Sequence, residues 1–177
     1  MINQKAKEQL APEYLAVNPM GKVPAILHNG ALVTEQVAIF IYLADLYSEA
    51  GLAPALDNPL RGAYLRWMVF YGSCFEPAIV DRAMKREPAP RATSPYADYE
   101  TTMGAIAAQL QAGSYFLGDP FTALDILWGR ALTWITQFKL VEKTPLIEQY
   151  IDRINARPSV QWVEKKDAAL AVAQEQT

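Results

Sequence analysis

The 177-residue sequence predicts a mainly α-helical protein in which a short helix, a β-hairpin and a helix precede a bundle of five helices. Three observations carry this expectation. One Asn-Gly pair, Asn29-Gly30, joins two short apolar runs, and this pair tolerates the positive φ angles of a tight hairpin turn. The proline-rich, turn-forming stretch 52–59 divides the chain. Beyond it the spacing is helical, with breaks marked at three places by proline.

The elements follow in order. Ala11-Pro12-Glu13-Tyr14-Leu15-Ala16-Val17 suits one or two helical turns, and Asn18-Pro19 ends them because proline disfavours helix in the residue before it. Val23-Pro24-Ala25-Ile26-Leu27 and Ala31-Leu32-Val33 read as strands, with His28 beside the turn and facing solvent. From Thr34, the expected N-cap, the pattern turns helical. Residues 36–47 are apolar on nearly every face, which predicts a helix buried on more than one side and closed at Gly51. Helices are expected over 60–85, 96–112, 122–138, 145–156 and 159–172, with fraying over 168–177. The breaks fall at Glu87-Pro88-Ala89-Pro90, Gly118-Asp119-Pro120 and Arg157-Pro158. The expected domains are therefore 1–51 and 60–177, joined by 52–59.

Composition removes several function classes. With 16 Lys+Arg against 19 Asp+Glu, the net charge of -3 offers no field for a polyanion, so nucleic-acid binding is not expected. The N-terminal Met1-Ile2-Asn3-Gln4-Lys5 lacks the apolar run of a signal peptide, and no stretch long enough to span a membrane is free of charge and turn signals, so a soluble cytoplasmic protein is expected. A single cysteine, Cys74, forms no internal disulfide, and with one histidine a protein-only zinc site of the usual kind is not expected.

Two motifs carry information. In Phe121-Thr122-Ala123-Leu124-Asp125-Ile126, Thr122 is placed to cap a helix, Asp125 to reach back to the Thr122 N–H, and Phe121 to staple onto Ile126; taken alone, this is a structural device that nucleates a buried helix. The other is Asn18-Pro19-Met20-Gly21-Lys22-Val23-Pro24, followed by Thr34-Glu35-Gln36 at a helix start. A cis Val23-Pro24 bond is accessible and would leave the Val23 N–H and C=O free to pair with a ligand backbone. The first helical turn offers unpaired N–H groups and a positive dipole end to a carboxylate, and Glu35 suits an amine. Together they fit a small zwitterionic peptide; separately, X-Pro strands and capped helices are ordinary structure.

The order of these features resembles the cytosolic glutathione transferase family, in its bacterial form. The resemblance runs from about Glu8 to Val172 and includes Glu8-Gln9 with Pro12-Glu13-Tyr14-Leu15, the segment from Arg66-Trp67 to Glu76-Pro77-Ala78, and Asp81-Arg82. It implies that the first part is the C-terminal portion of a thioredoxin-like α/β domain, that the second is the all-helical C-terminal bundle, and that the protein is a homodimer with glutathione as co-substrate between the domains. By position, Val23 pairs its backbone with the cysteinyl part of glutathione, Pro24 is the cis residue, Lys22 helps to hold the peptide, and Glu35 and Gln36 receive the γ-glutamyl group. Gln36 departs from the family pattern, a longer amide standing where a short hydroxyl is usual.

The resemblance also implies a strand–helix–strand unit bearing the thiol-activating Tyr, Ser or Cys ahead of the short helix. Such a unit takes roughly 30 residues, and about ten precede Pro12. No residue matches the family's catalytic position, and none is assigned. The chain is expected to be a truncated form of a longer enzyme or else a short homologue whose sheet edge is covered by a partner. For the complete enzyme, a glutathione thiolate attacks a small electrophilic or peroxidic substrate. A non-catalytic interaction scaffold is the alternative, as is an all-helical interaction domain with a disordered N-terminus. Trp67, Phe70, Tyr71 and Phe75 recur at helical spacing, which suits core or dimer packing; the functional version places Tyr71 or Phe75 on the wall of a second-substrate pocket. Cys74, within an apolar run, reads as an inert thiol rather than a nucleophile.

Overall fold

The computed structural model describes residues 2–87 and 89–175. A 3₁₀ turn at Glu8–Leu10 leads into a one-turn helix, α1 (Pro12–Leu15), with proline in its first turn where no N–H is needed. Strands β1 (Ala25–His28) and β2 (Ala31–Thr34) pair antiparallel in the register Ala25↔Thr34 to His28↔Ala31. Asn29 at φ 50° and Gly30 at φ 80° make the turn, as the Asn-Gly pair predicts. The register carries the strand through Thr34, so Thr34 is not the N-cap of the next helix, α2 (Gln36–Leu46); that position belongs to Glu35. His28 does not face solvent freely either. It is half-buried, its Nδ1 lies 2.7 Å from the Tyr42 hydroxyl, and it ties the hairpin to α2.

Helix α2 lies between the hairpin and the helical bundle, with Ile39 and Ala44 fully buried. Its C-terminal end is fastened by a two-pronged pair in which Arg61 Nη1 and Nη2 each donate at 2.7 Å to the Asp45 carboxylate, while Nη1 also donates at 3.1 Å to the Pro54 carbonyl. The connecting loop is fixed again where the Ala123 N–H donates to the Leu52 carbonyl at 2.7 Å.

The helix expected over 60–85 is interrupted. Helix α3 (Arg61–Phe70) passes into a π-turn at Tyr71–Phe75 and continues as α4 (Glu76–Ala83). Pro77 supplies the reason. In an unbroken α-helix the Ser73 carbonyl would need the N–H that Pro77 lacks, and the pyrrolidine ring would press on that carbonyl. One wider turn, closed by the Glu76 N–H to the Tyr71 carbonyl, accommodates the extra residue.

The remaining helices are α5 (Tyr99–Gln111), α6 (Ala123–Gln137), α7 (Pro145–Asn155) and α8 (Pro158–Glu175). Helix α5 starts later than residue 96 because Asp98 caps it, accepting from the Thr101 N–H at 2.6 Å. Fraying from 168 is not seen: α8 runs to Glu175 on good helix formers, with 176–177 outside the described residues. The core is aromatic. Trp128 stacks on Phe116 at 4.8 Å between centroids, meets Phe75 at 4.9 Å and Tyr71 at 5.3 Å, and donates its indole N–H to the Trp67 carbonyl at 3.3 Å. Helices α6 and α7 approach closely at Gly129, where an added Cβ would lie 2.7 Å from Ile154. The protein is thus mainly α, with a two-stranded sheet among the described residues. Among them, no helix is long and apolar enough to cross a membrane.

Candidate functional site

The loop before β1 is built to present Val23. Asn18, 4% exposed, accepts the Met20 N–H at 3.2 Å and donates at 2.8 Å to the Lys22 carbonyl, which also receives the Tyr14 hydroxyl at 2.6 Å. Gly21 lies between them at φ 59°, and a Cβ there would come within 2.9 Å of Leu10 and 3.2 Å of the Gln9 carbonyl. The Asn-Pro-x-Gly-Lys run is therefore a rigid turn, and Val23-Pro24 follows it as a cis peptide. Among the described residues the Val23 N–H and C=O form no hydrogen bond.

Val23 faces a cleft of about 860 Å³ together with Lys22, Pro24, Glu35 and Gln36. These are the five residues singled out in the sequence, and the fold brings them together because the hairpin turns the α2 N-terminus back beside the loop. The first bond inside α2 is Ile39 N–H to the Glu35 carbonyl at 2.9 Å, so the N–H groups of Gln36, Val37 and Ala38 precede it, and all three residues line the cleft. That end suits an anion. Glu35 itself adopts φ 68° and ψ 118°, a region an L-residue enters at a cost of about 1–3 kcal/mol and only where the surroundings enforce it.

The opposite wall comes from the π-turn. Tyr71 and Glu76, five residues apart, would diverge by about 140° on an α-helix of 3.6 residues per turn, and the wider turn cancels much of that divergence. The side chains of Tyr71 and Glu76 both line the cleft. Burial first, and then the charge of Glu76, push the Tyr71 hydroxyl above its usual range. Burial raises the Glu76 carboxyl as well; the Tyr71 hydrogen bond opposes this and the charge of Glu35 adds to it. Gln36, Tyr71 and Glu76 also border a second cleft of about 460 Å³, whose far side is apolar and includes Phe40, Leu127 and Trp134, the last 63% exposed.

Phe75 is not a pocket residue. It is 0% exposed and sits against Trp128, because the π-turn directs it to the core as it directs Tyr71 to the cleft. Cys74 is half-buried, its Sγ 3.5 Å from the Ser73 hydroxyl and 3.9 Å from the Pro95 carbonyl.

The Thr122–Asp125 capping box is closed. Asp125, 0% exposed, does more than cap: its Oδ2 accepts the Thr122 N–H at 2.9 Å, and its Oδ1 accepts the Phe116 N–H at 2.9 Å and the Tyr150 hydroxyl at 3.0 Å. Phe121 meets the Tyr115 ring at 5.5 Å and carries the Arg157 guanidinium 3.5 Å above its ring centre, and with Ile126 it lines a small cleft against α8. Sequence reasoning missed Tyr14, Asn18 and Glu76. The turn-forming Asn18-Pro19 and the proline within a helical run at Pro77 were the signals available. Among the described residues no cluster of three or more His, Cys, Asp or Glu side chains is arranged to hold a metal.

Residues 2–45 match the model of the glutathione S-transferase N-terminal domain. The chain is 28% identical to the glutathione S-transferase GstA of Escherichia coli O157:H7 over 159 residues, covering 89% of this chain and 79% of that one. It superposes on a sphingomonad glutathione S-transferase complexed with glutathione with a TM-score of 0.72 and 29% identity, over 89% of this chain and 80% of the other. With the beta-class enzyme of Sphingomonas chungbukensis it shares 30% identity and a TM-score of 0.70 over 86% of this chain and 77% of that one. A hairpin and helix matched by the family's own N-terminal model, continuous with a helical bundle that superposes on solved members, place this chain in the cytosolic glutathione transferase family.

Proposed function

We propose that the cleft between the β1 loop and the π-turn docks glutathione and that the protein serves transferase chemistry, the glutathione sulfur attacking a small electrophilic or peroxidic substrate. The observation that carries this is Glu35, held at φ 68° on the helix end beside the open Val23 edge, since backbone strain of this kind persists where a side chain must be aimed. The Val23 N–H and C=O pair with the cysteinyl backbone, as in strand addition. The γ-glutamyl carboxylate takes the N–H groups that open α2, Lys22 adds positive charge, and Glu35 holds the ammonium. Residues 1–51 form the docking unit and 60–177 the helical one, joined by 52–59. The thiol-activating group is assigned to none of the described residues.

A second substrate fits the adjoining cleft, with Tyr71 on the shared wall. Exposed Val69 on α3, Val80 on α4 and Met84 just past the end of α4 support a homodimer. A second reading, a non-catalytic scaffold, is favoured by Gln36 in place of a short hydroxyl. Calorimetric titration of reduced glutathione into the wild-type chain and Glu35→Ala decides between them. Saturable binding lost in the variant supports docking; no binding by a folded protein supports the scaffold.

A further inference from the structure

We infer that Glu76, brought to the cleft by the π-turn, is a further binding residue of this cleft and that, with Glu35, it brackets the protonated amine of the docked peptide. The inference rests on the docking proposal and adds, from the opposite wall, a second carboxylate to docking residues that otherwise come from the hairpin unit.

Three observations converge on it. First, Glu76 borders both clefts in company with Gln36, the first residue of α2, so its carboxylate lies beside the helix end that suits the ligand's carboxylate. An α-amino acid terminus carries both charges on one carbon, so a carboxylate seated on the α2 N–H groups sets its ammonium next to Glu35 and within reach of the facing wall. Second, the π-turn ahead of Pro77 brings Tyr71, a residue 6% exposed, and Glu76 to the same two clefts. π-turns recur where a helix must aim a functional side chain. Third, the charges around the carboxylate leave it open to a cation. Lys22 stands on the opposite loop, and Arg130 of α6 borders the adjoining cleft with its guanidinium engaged at 2.8 Å by Glu164 and at 2.9 Å by Asn155. The charge of Glu35 is felt at Glu76, so two like charges share one cleft until a cation enters between them.

The test compares two peptides by calorimetry at neutral pH: glutathione, and its des-amino analogue glutaryl-cysteinyl-glycine, which keeps the carboxylate and loses the ammonium. The expected result is that Glu76→Gln weakens glutathione about five- to tenfold and leaves the analogue unchanged or tighter, as for one partly exposed charge-assisted contact. Tyr71→Phe, which keeps the carboxylate but frees it, is expected to weaken glutathione about two- to threefold. Unchanged glutathione affinity in Glu76→Gln, with affinity lost in Glu35→Gln, overturns the inference and leaves docking intact; so does equal weakening of both peptides. If the folded wild-type chain binds neither peptide, docking itself fails and the inference goes with it.

Discussion

Replacing Asp125 with alanine tests whether the bundle hangs on one buried carboxylate. Its two oxygens serve the Phe116 N–H, the Thr122 N–H and the Tyr150 hydroxyl at 2.9, 2.9 and 3.0 Å, and Phe116, Thr122 and Tyr150 are each at most 2% exposed, so bulk solvent does not reach the stranded donors. Each stranded donor costs about 1–3 kcal/mol. Removing the carboxylate also relieves its own desolvation, the largest influence on its pKa, which burial raises. The net loss is about 3–5 kcal/mol, on the order of 10 °C in Tm for a chain of this length. Urea unfolding followed by tryptophan fluorescence measures it. Thr122→Ala, which removes only the cap side chain, is expected to cost about 0.5–2 kcal/mol. The pH dependence gives an independent check. A folded pKa above the unfolded value of about 3.9 means that the contribution is full below that value and declines as pH rises through the folded one. Asp125→Asn should remove that decline. If Asp125→Ala loses less than about 1 kcal/mol, or no more than Thr122→Ala, the picture of Asp125 as the shared acceptor of three buried donors is wrong.

Three further outcomes follow from the same geometry. Gly129→Ala sets a methyl against the β-branched Ile154 at 2.7 Å and should destabilise by about 1–3 kcal/mol in a denaturant melt; a neutral effect would mean that α6 and α7 separate freely. Glu35→Gly should hold or raise stability by about 1 kcal/mol while abolishing glutathione binding, whereas Glu35→Ala keeps the strain; equal melting of the two variants would deny that φ 68° is costly. Asp45→Asn should cost about 0.5–1 kcal/mol at pH 7. Because the Arg61 hydrogen bonds hold Asp45 below its usual range, that term is present above the unfolded pKa and vanishes as pH falls through the folded one. A difference persisting near pH 2 would assign the effect to packing rather than charge.

Much of the Val23 wall of the cleft is legible in the sequence because its parts are local. Asn29-Gly30 dictates its own turn, Gly21 its own φ, and the capping box needs only the four residues Thr122 to Asp125, so short-range chemistry sufficed. Capping preference points to Thr34 because it cannot see register: pairing with Ala25 claims that residue for the strand and pushes the strained turn onto Glu35. The opposite wall was illegible for a different reason. Helical periodicity assigns Tyr71 and Phe75 to one face, and both do pack near Trp128, but one inserted residue shifts the phase of everything beyond it. Phe75 is thereby committed to the core, Tyr71 keeps an edge on the cleft, and Glu76, which spacing alone turns away, joins it. The proline at 77 was visible all along; its meaning depended on whether the helix would end, kink or widen, and tertiary packing decides among those. The dense core on both sides of the break, with Tyr64, Trp67 and Met68 before it and Ala78 and Ile79 after it, makes ending or sharply kinking the helix costlier than widening it by one residue. The same packing that buries Phe75 therefore delivers a carboxylate to the cleft, and a change that relaxed the turn would be expected to disturb ligand binding before it disturbed the fold.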